Sequence, residues 1–382
     1  MTDGARRWPL SLVLCGGGIT GAMYEFGALH ALDHFLVDGF RVTDFDIFVG
    51  TSAGAVVAAL LANGVAPQAV GRAIRDAAES PLNFRQEDVV QLDGDDVRAS
   101  LRRVLGIVPE WLGLRRGKPR LSLPKAVRAI EETLPAGIYS LEPYRAYLKR
   151  LLASPGCTDS FAALKCELYI PAVTLDKAEL VLFGAEPFRD VPISDAIAAS
   201  SALPLYFRPV TLDGIDYVDG GVGQVVHFDR PLLRGSRFLI LVNPVIPIHN
   251  DPAEVCIPTR TGHCARLQEK GVSFVIDQSQ RISSRQRMIL GLERFRHLYP
   301  DARILLIEPP PRDSVLFLEN ILNYSARVAM LDYGYRSTAQ LLRARFQEFQ
   351  EAFAANGVEV TLERLRDENP WAPEPVPAHG AA

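Results

Sequence analysis

One serine in this chain is framed by glycines: Gly50-Thr51-Ser52-Ala53-Gly54. The five residues lie between a strand-like apolar run, Phe45–Val49, and a helix-like run of small residues, Ala53–Leu61. A sharp strand-to-helix turn lifts a serine hydroxyl clear of the sheet, and the flanking glycines let the crowded backbone make that turn. Ser52 is therefore the candidate nucleophile. The helix N-terminus behind it points N–H groups and a positive partial charge at developing negative charge, which makes the Ala53 N–H a candidate oxyanion donor.

A second glycine cluster, Gly16-Gly17-Gly18-Ile19-Thr20-Gly21, follows the strand-like run Ser11–Cys15 and opens a helical pattern carried by Phe26, Leu29, Leu32, Phe35 and Leu36. Successive glycine N–H groups make a concavity that suits an anion. Gly16-x-Gly18-x-x-Gly21 also satisfies the dinucleotide fingerprint, which needs an acidic residue at the end of the second strand. Asp44 and Asp46 precede or begin that strand, and Gly50-Thr51-Ser52 ends it, so dinucleotide binding is the weaker reading. On neighbouring parallel strands the two loops open on one sheet edge, as a nucleophile and its oxyanion hole must.

The serine needs a base. His227, His249, His263, His297 and His379 lie downstream, and the sequence singles out none of them for a Ser-His-Asp triad. Asp219-Gly220-Gly221 is the better candidate, since an aspartate opening a glycine turn after a strand sits at the sheet edge. Partial desolvation raises its pKa toward that of a useful general base.

The elements that must position these groups follow from hydrophobic patterning. Two strand–loop–helix units within the first 65 residues predict a mostly parallel sheet with helices packed on it. Ala53–Leu61 has no polar face and should be buried all round. Further strands are expected at Cys166–Val173, Glu179–Phe183, Tyr217-Val218, Arg237–Val242 and Arg303–Ile307. Helices are expected near Ile193–Ala199 and over Arg336–Ala355. Residues 66–165 read as mainly helical. Residues 10–232 are expected to form the catalytic domain and 233–366 to complete its sheet, cover the site or make an oligomer contact. Residues 367–382, rich in Pro and Ala, are expected to be a disordered tail.

The 382 residues are 48% hydrophobic and 23% charged, which excludes a mainly disordered or collagen-like chain. A net charge of −4 argues against a dedicated nucleic-acid binder. That average conceals residues 98–128, where nine basic residues stand with one acid, Glu110, giving +8 against −12 elsewhere. Trp111, Leu112 and Leu114 lie among them, a combination that suits attachment to an anionic membrane surface. The Arg281–His297 run is basic too. The uncharged stretch Ile47–Gly71 is broken by glycines and Pro67 and is read as buried strand plus helix rather than a membrane span. With no targeting segment recognised, the expected location is cytoplasmic, with peripheral membrane contact. Five cysteines without a C-x-x-C pair fit a reducing compartment and no structural zinc. His30 and His34 have a metal-ligand spacing but no evident third ligand, and are read as a half-exposed helix face. Asp93-Gly94-Asp95-Asp96 is read as a solvated turn. No metal or cofactor is called for.

Taken in order, GGGITG, GTSAG and DGG resemble the three signature blocks of the patatin-like phospholipase family. The stretch Ala196–Pro204, with Phe207 and Pro209, is similar as well. The resemblance covers roughly residues 10–232. It implies a three-layer α/β/α fold, acyl-ester hydrolysis on lipids through an acyl-enzyme, and a Ser–Asp dyad in place of a triad. Carried over, Ser52 is the nucleophile, Asp219 the base, and Gly16, Gly17 and Gly18 the oxyanion loop, supported by Gly21, Gly50, Gly54, Gly220 and Gly221. The sequence departs from the family at Cys15, often Asp, and at Thr20, often a cation. Losing that cation weakens the case for an anionic head group. The competing readings are a Ser-His-Asp esterase of the α/β-hydrolase fold, whose oxyanion loop should be a separate element, and a non-catalytic lipid- or dinucleotide-binding scaffold.

Overall fold

Short apolar runs assemble into the parallel part of a sheet in the computed structural model. It describes residues 8–37, 39–89, 91–92, 135–222, 226–250, 266–313 and 315–372, with single positions at 98, 102, 105, 125, 128 and 133. Strand β1 (Leu10–Leu14) leads through the glycines into helix α1 (Gly18–Phe35). Strand β2 (Ile47–Gly50) leads into α2 (Ala53–Ala62) and then α3 (Pro67–Arg75). Strands β3 (Gln91–Leu92) and β4 (Gly137–Ser140) precede α4 (Glu142–Leu152). Next come β5 (Glu167–Thr174), β6 (Leu180–Phe183), α5 (Ile193–Ser200), β7 (Leu205–Phe207), β8 (Val210–Leu212) and β9 (Ile215–Asp219). Strand β10 (Phe238–Val242), α6 (Val272–Leu298), β11 (Arg303–Ile307), α7 (Arg327–Ala344) and α8 (Phe346–Ala354) follow.

The main sheet has the order β11-β10-β1-β2-β5-β9-β8, with β6 also paired to β5. From β11 to β5 the neighbours are parallel. Strands β6, β8 and β9 are added antiparallel. A small second sheet joins β3, β4 and β7. Strands β1 and β10 are buried along their whole length, as central parallel strands covered on both faces must be. Alternation along β1 divides the core. Leu10, Leu12 and Leu14 face the cluster that includes residues of α1, α2, α7 and α8, while Val13 and Cys15 face Met288, Leu292 and Phe295 of α6. The result is the expected three-layer α/β/α arrangement.

Strands β10 and β11 belong to the same sheet as β1, and α7 packs directly on α1. Two glycines permit that contact: a Cβ on Gly27 would lie 2.2 Å from Leu331 O, and one on Gly334 would lie 2.2 Å from Tyr24 O. The single helix expected over Arg336–Ala355 is two helices. The chain breaks at Arg345, whose Nη1 donates to Leu306 O. The break turns Phe346, Phe349 and Phe353 onto Phe35.

Residues 367–372 depart from the expected disordered tail. Trp371 is only 4% exposed, stacks on His30 at 4.4 Å, and its indole N–H donates to Asp332 at 2.9 Å. The expected half-exposed histidine face is corrected by the same contacts. His30 and His34 are buried; His30 donates to Pro370 O, His34 meets the Tyr335 hydroxyl, and burial pushes the His34 pKa down to about 3. Among the described residues no single helix is long and apolar enough to cross a membrane. The Asp93–Asp96 turn and most of the basic stretch 98–128 lie outside the described residues; Arg98, Arg102, Lys125 and Arg128 are described and exposed.

Candidate active site

Ser52 sits at the end of β2 with φ 56° and ψ −129°, a strained conformation for a residue with a side chain. The chain around it is pinned. Thr51 N–H donates to Leu14 O, Gly54 N–H to Thr51 O, and Ser52 N–H to the Ser200 hydroxyl at 2.9 Å. Gly54 has no room for a side chain, since a Cβ there would lie 2.7 Å from Leu14 O and 2.8 Å from Gly16 N. The serine turn is thereby wedged under the glycine loop.

That loop has three successive left-handed residues, Gly16, Gly17 and Gly18, at φ 77°, 108° and 67°. A Cβ on Gly16 would approach Thr51 O to 2.4 Å and Ala53 N to 3.1 Å, so the loop lies against the serine turn. Ile321 closes its other side: Ile321 O accepts the Ile19 N–H at 2.7 Å. Among the described residues, the N–H groups of Gly17, Gly18 and Ala53 donate to no protein acceptor. Gly16 departs from its expected role, because its N–H already donates to Glu25 Oε1 at 2.8 Å. Cys15, just before the loop, is a buried thiol whose pKa burial raises further, so it is an inert core residue.

Asp219 ends β9 and is 2% exposed. Its N–H donates to Ala202 O, and its Oδ1 accepts the Gly221 N–H at 2.7 Å. Burial pushes its pKa from 3.8 up to about 6, against the opposing pull of the Ser52 hydroxyl and the Gly221 N–H. The Ser52 hydroxyl acts on the Asp219 carboxyl, while Asp219 Oδ2 has no hydrogen-bond partner. Gly220 passes so close to β5 that a Cβ would meet Pro171 O at 2.3 Å.

The histidines are placed elsewhere, with one neighbour of the turn among them. His227 is buried and its Nε2 donates to Gly220 O at 3.2 Å. His30 and His34 lie near the far end of α1, His297 is on the last turn of α6, and His263 and His379 fall outside the described residues. No cluster of metal-ligating side chains occurs among the described residues.

Ser52 and Ala53 open into an apolar pocket with about 830 Å³ of empty space, part of it open solvent. One wall is α2, through Val56 and Leu60, and another is α1, through Ile19, Met23 and Phe26. Tyr144 and Leu322 contribute from further elements. Sequence reasoning did not assign roles to Glu25, Ser200 or Ile321. Glu25 had a signal, an acid set between the apolar Met23, Tyr24 and Phe26 of α1. Ser200 lay in the similar stretch before Asp219. Ile321 acts through its backbone oxygen and had none.

A family model, "Patatin-like phospholipase", matches residues 12–230, which include the glycine loop, Glu25, Ser52, Ser200 and Asp219. The chain belongs to the patatin-like phospholipase family. None of the curated proteins matches it. Solved structures similar to this family member include VipD from Legionella pneumophila, at 15% identity over 88% of this chain and 66% of that one, with a TM-score of 0.36. The type III effector protein ExoU is 15% identical over 88% of this chain and 53% of its own, also with a TM-score of 0.36. Full-length ExoU with SpcU, from the type III secretion system of Pseudomonas aeruginosa, is 16% identical over 90% and 54%, with a TM-score of 0.34. The chain thus spans between about half and two thirds of the length of these structures.

Proposed function

We propose that the chain is a serine-dependent lipid acyl hydrolase that cleaves carboxylic esters with a Ser52–Asp219 dyad. The observation that carries this reading is the convergence on Ser52. Its strained turn faces a buried aspartate, unengaged N–H groups and the mouth of an apolar pocket.

Each group has a task. An acyl chain enters the apolar pocket, which brings its ester carbonyl to Ser52. Ser52 Oγ attacks the carbonyl carbon as its proton passes to Asp219, whose pKa near 6 leaves it ionised and still basic at neutral pH. The Gly17, Gly18 and Ala53 N–H groups take the charge that develops on oxygen; one such donor is worth about 3 kcal/mol. Collapse expels the alcohol, which takes the proton from Asp219 and leaves an acyl-enzyme. Water then repeats the sequence, giving its proton to Asp219 and releasing the fatty acid.

The test is direct. Ser52→Ala and Asp219→Asn should each abolish hydrolysis of a nitrophenyl ester, and a fluorophosphonate probe should label Ser52. His227→Gln should leave most activity. Loss with His227→Gln and survival of Asp219→Asn would point to a triad, and a protein that neither hydrolyses nor labels would be a binding scaffold. The basic stretch 98–128 is proposed to hold the enzyme at anionic lipid. Replacing Arg115, Arg116 and Lys118 by Gln should weaken binding to anionic vesicles, and unchanged binding would remove that role.

A further inference from the structure

Glu25 has no part in the steps above, yet it is a carboxyl with no exposed surface, seven residues into α1 and directly behind the glycine loop. Its Oε1 takes the Gly16 N–H at 2.8 Å, and its Oε2 has no partner. Helix α1 reaches the loop twice: Gly21 N–H donates to Gly17 O, and Glu25 accepts from Gly16. Three consecutive left-handed glycines have wide conformational freedom, so something must select one arrangement.

We propose that Glu25 is a positioning residue of the oxyanion hole: by engaging the Gly16 N–H it fixes the loop so that the next two N–H groups, of Gly17 and Gly18, face Ser52. The proposal rests on Ser52 being the nucleophile. The protonation state suits the role. Burial raises the Glu25 pKa well above the usual carboxylate value, and the backbone N–H groups of Gly16 and Cys15 oppose that rise. A neutral acid accepts a hydrogen bond through its carbonyl oxygen without placing a negative charge beneath the oxyanion, where an ionised one would repel it.

Two near-isosteric variants separate positioning from packing. Glu25→Gln keeps a neutral acceptor for Gly16, and Glu25→Met keeps the volume without one. Glu25→Gln should hold kcat within about threefold of the parent, while Glu25→Met should lower kcat about 10- to 100-fold with KM nearly unchanged, the signature of an interaction made in the transition state. Amide exchange at Gly16 should be slow in the parent and in Glu25→Gln and fast in Glu25→Met. Should Glu25→Met not fold, Glu25→Asp, too short to reach Gly16, takes its place with the same expectation.

Full activity in Glu25→Met despite fast exchange, or equal losses in Gln and Met, would overturn the proposal. Fluorophosphonate labelling of the parent is measured first, so failure of the Ser52 reading shows there. The exchange experiment still decides whether Glu25 holds the loop.

Discussion

Asp219 stands level with Ser52 even though it reaches the site on a strand of opposite direction. Val49 of β2 pairs with Tyr169 of β5, and Ser52 and Ala172 each lie three residues further along. Ala172 is the residue that pairs with Asp219 at the end of the antiparallel strand β9. Strand β5 outruns β2 and carries the aspartate's neighbour up to the height of the serine. Sheet register thus brings Ser52 and Asp219 to the same edge, with backbone hydrogen bonds holding both ends.

The pH profile should report that burial. With the Asp219 pKa at about 6, kcat/KM should rise through an acid limb near pH 6, well above the limb of an exposed aspartate. The stability consequence has the opposite sign. The folded state binds this proton more tightly than the unfolded chain, so stability contributed by the protonated form is lost as pH rises from about 4 to about 6. Above that range the cost is on the order of 3 kcal/mol. Asp219→Asn should therefore be inactive and melt at a higher temperature than the parent at pH 7.5. Equal or lower melting temperatures would show that the ionised carboxylate is compensated in the fold.

Ser200 should matter through its bond to the Ser52 backbone. Its buried hydroxyl accepts the Ser52 N–H and so restrains a residue held at φ 56°. Ser200→Ala leaves that N–H without an acceptor, at about 1–3 kcal/mol. We expect lower stability by that amount in denaturant unfolding, with kcat down about tenfold as the turn relaxes and the hydroxyl loses its aim. A stability loss with unchanged kcat would confine Ser200 to packing.

What the sequence made legible depended on how each residue acts. Gly16, Gly18 and Gly54 were readable because backbone crowding or left-handed angles exclude other residue types there. Strands β1, β2 and β10 were readable because buried central strands are built mainly from apolar residues. Asp219 could be placed at a strand end, but its level with Ser52 depends on the β2–β5–β9 register, which no local pattern carries. Helix α6 went unrecognised: only Arg281 and Met288 are buried along it, so its core-facing stripe is too thin to show as periodicity. Ile321 was invisible because a backbone oxygen can come from any residue.

The pocket should set the acyl preference. Val56 lies one turn along α2 from Ser52 and lines the passage toward Leu60. Val56→Phe should block the passage and leave the serine accessible. Short-chain nitrophenyl esters should be hydrolysed within about threefold of the parent rate. Long-chain esters should lose about 100-fold in kcat/KM, since each excluded methylene forfeits about 0.8 kcal/mol and four are enough. A uniform loss across chain lengths would place the acyl chain elsewhere.

The C-terminal strap offers a test of packing far from the chemistry. The Trp371 ring sits in a notch made by Gly71 of α3, where a Cβ would come within 1.9 Å of it. Trp371→Ala should cost about 3–5 kcal/mol, as buried aromatic truncations do. Gly71→Ala should destabilise by expelling the same ring. The two changes remove one interaction, so the double variant should be about as stable as the worse single variant. Ester hydrolysis should be little changed in all three, because the strap packs on α1 near His30, well away from the glycine loop at its start. Additive losses in thermal unfolding would mean that Gly71 and Trp371 act independently and that the notch is not what holds the strap.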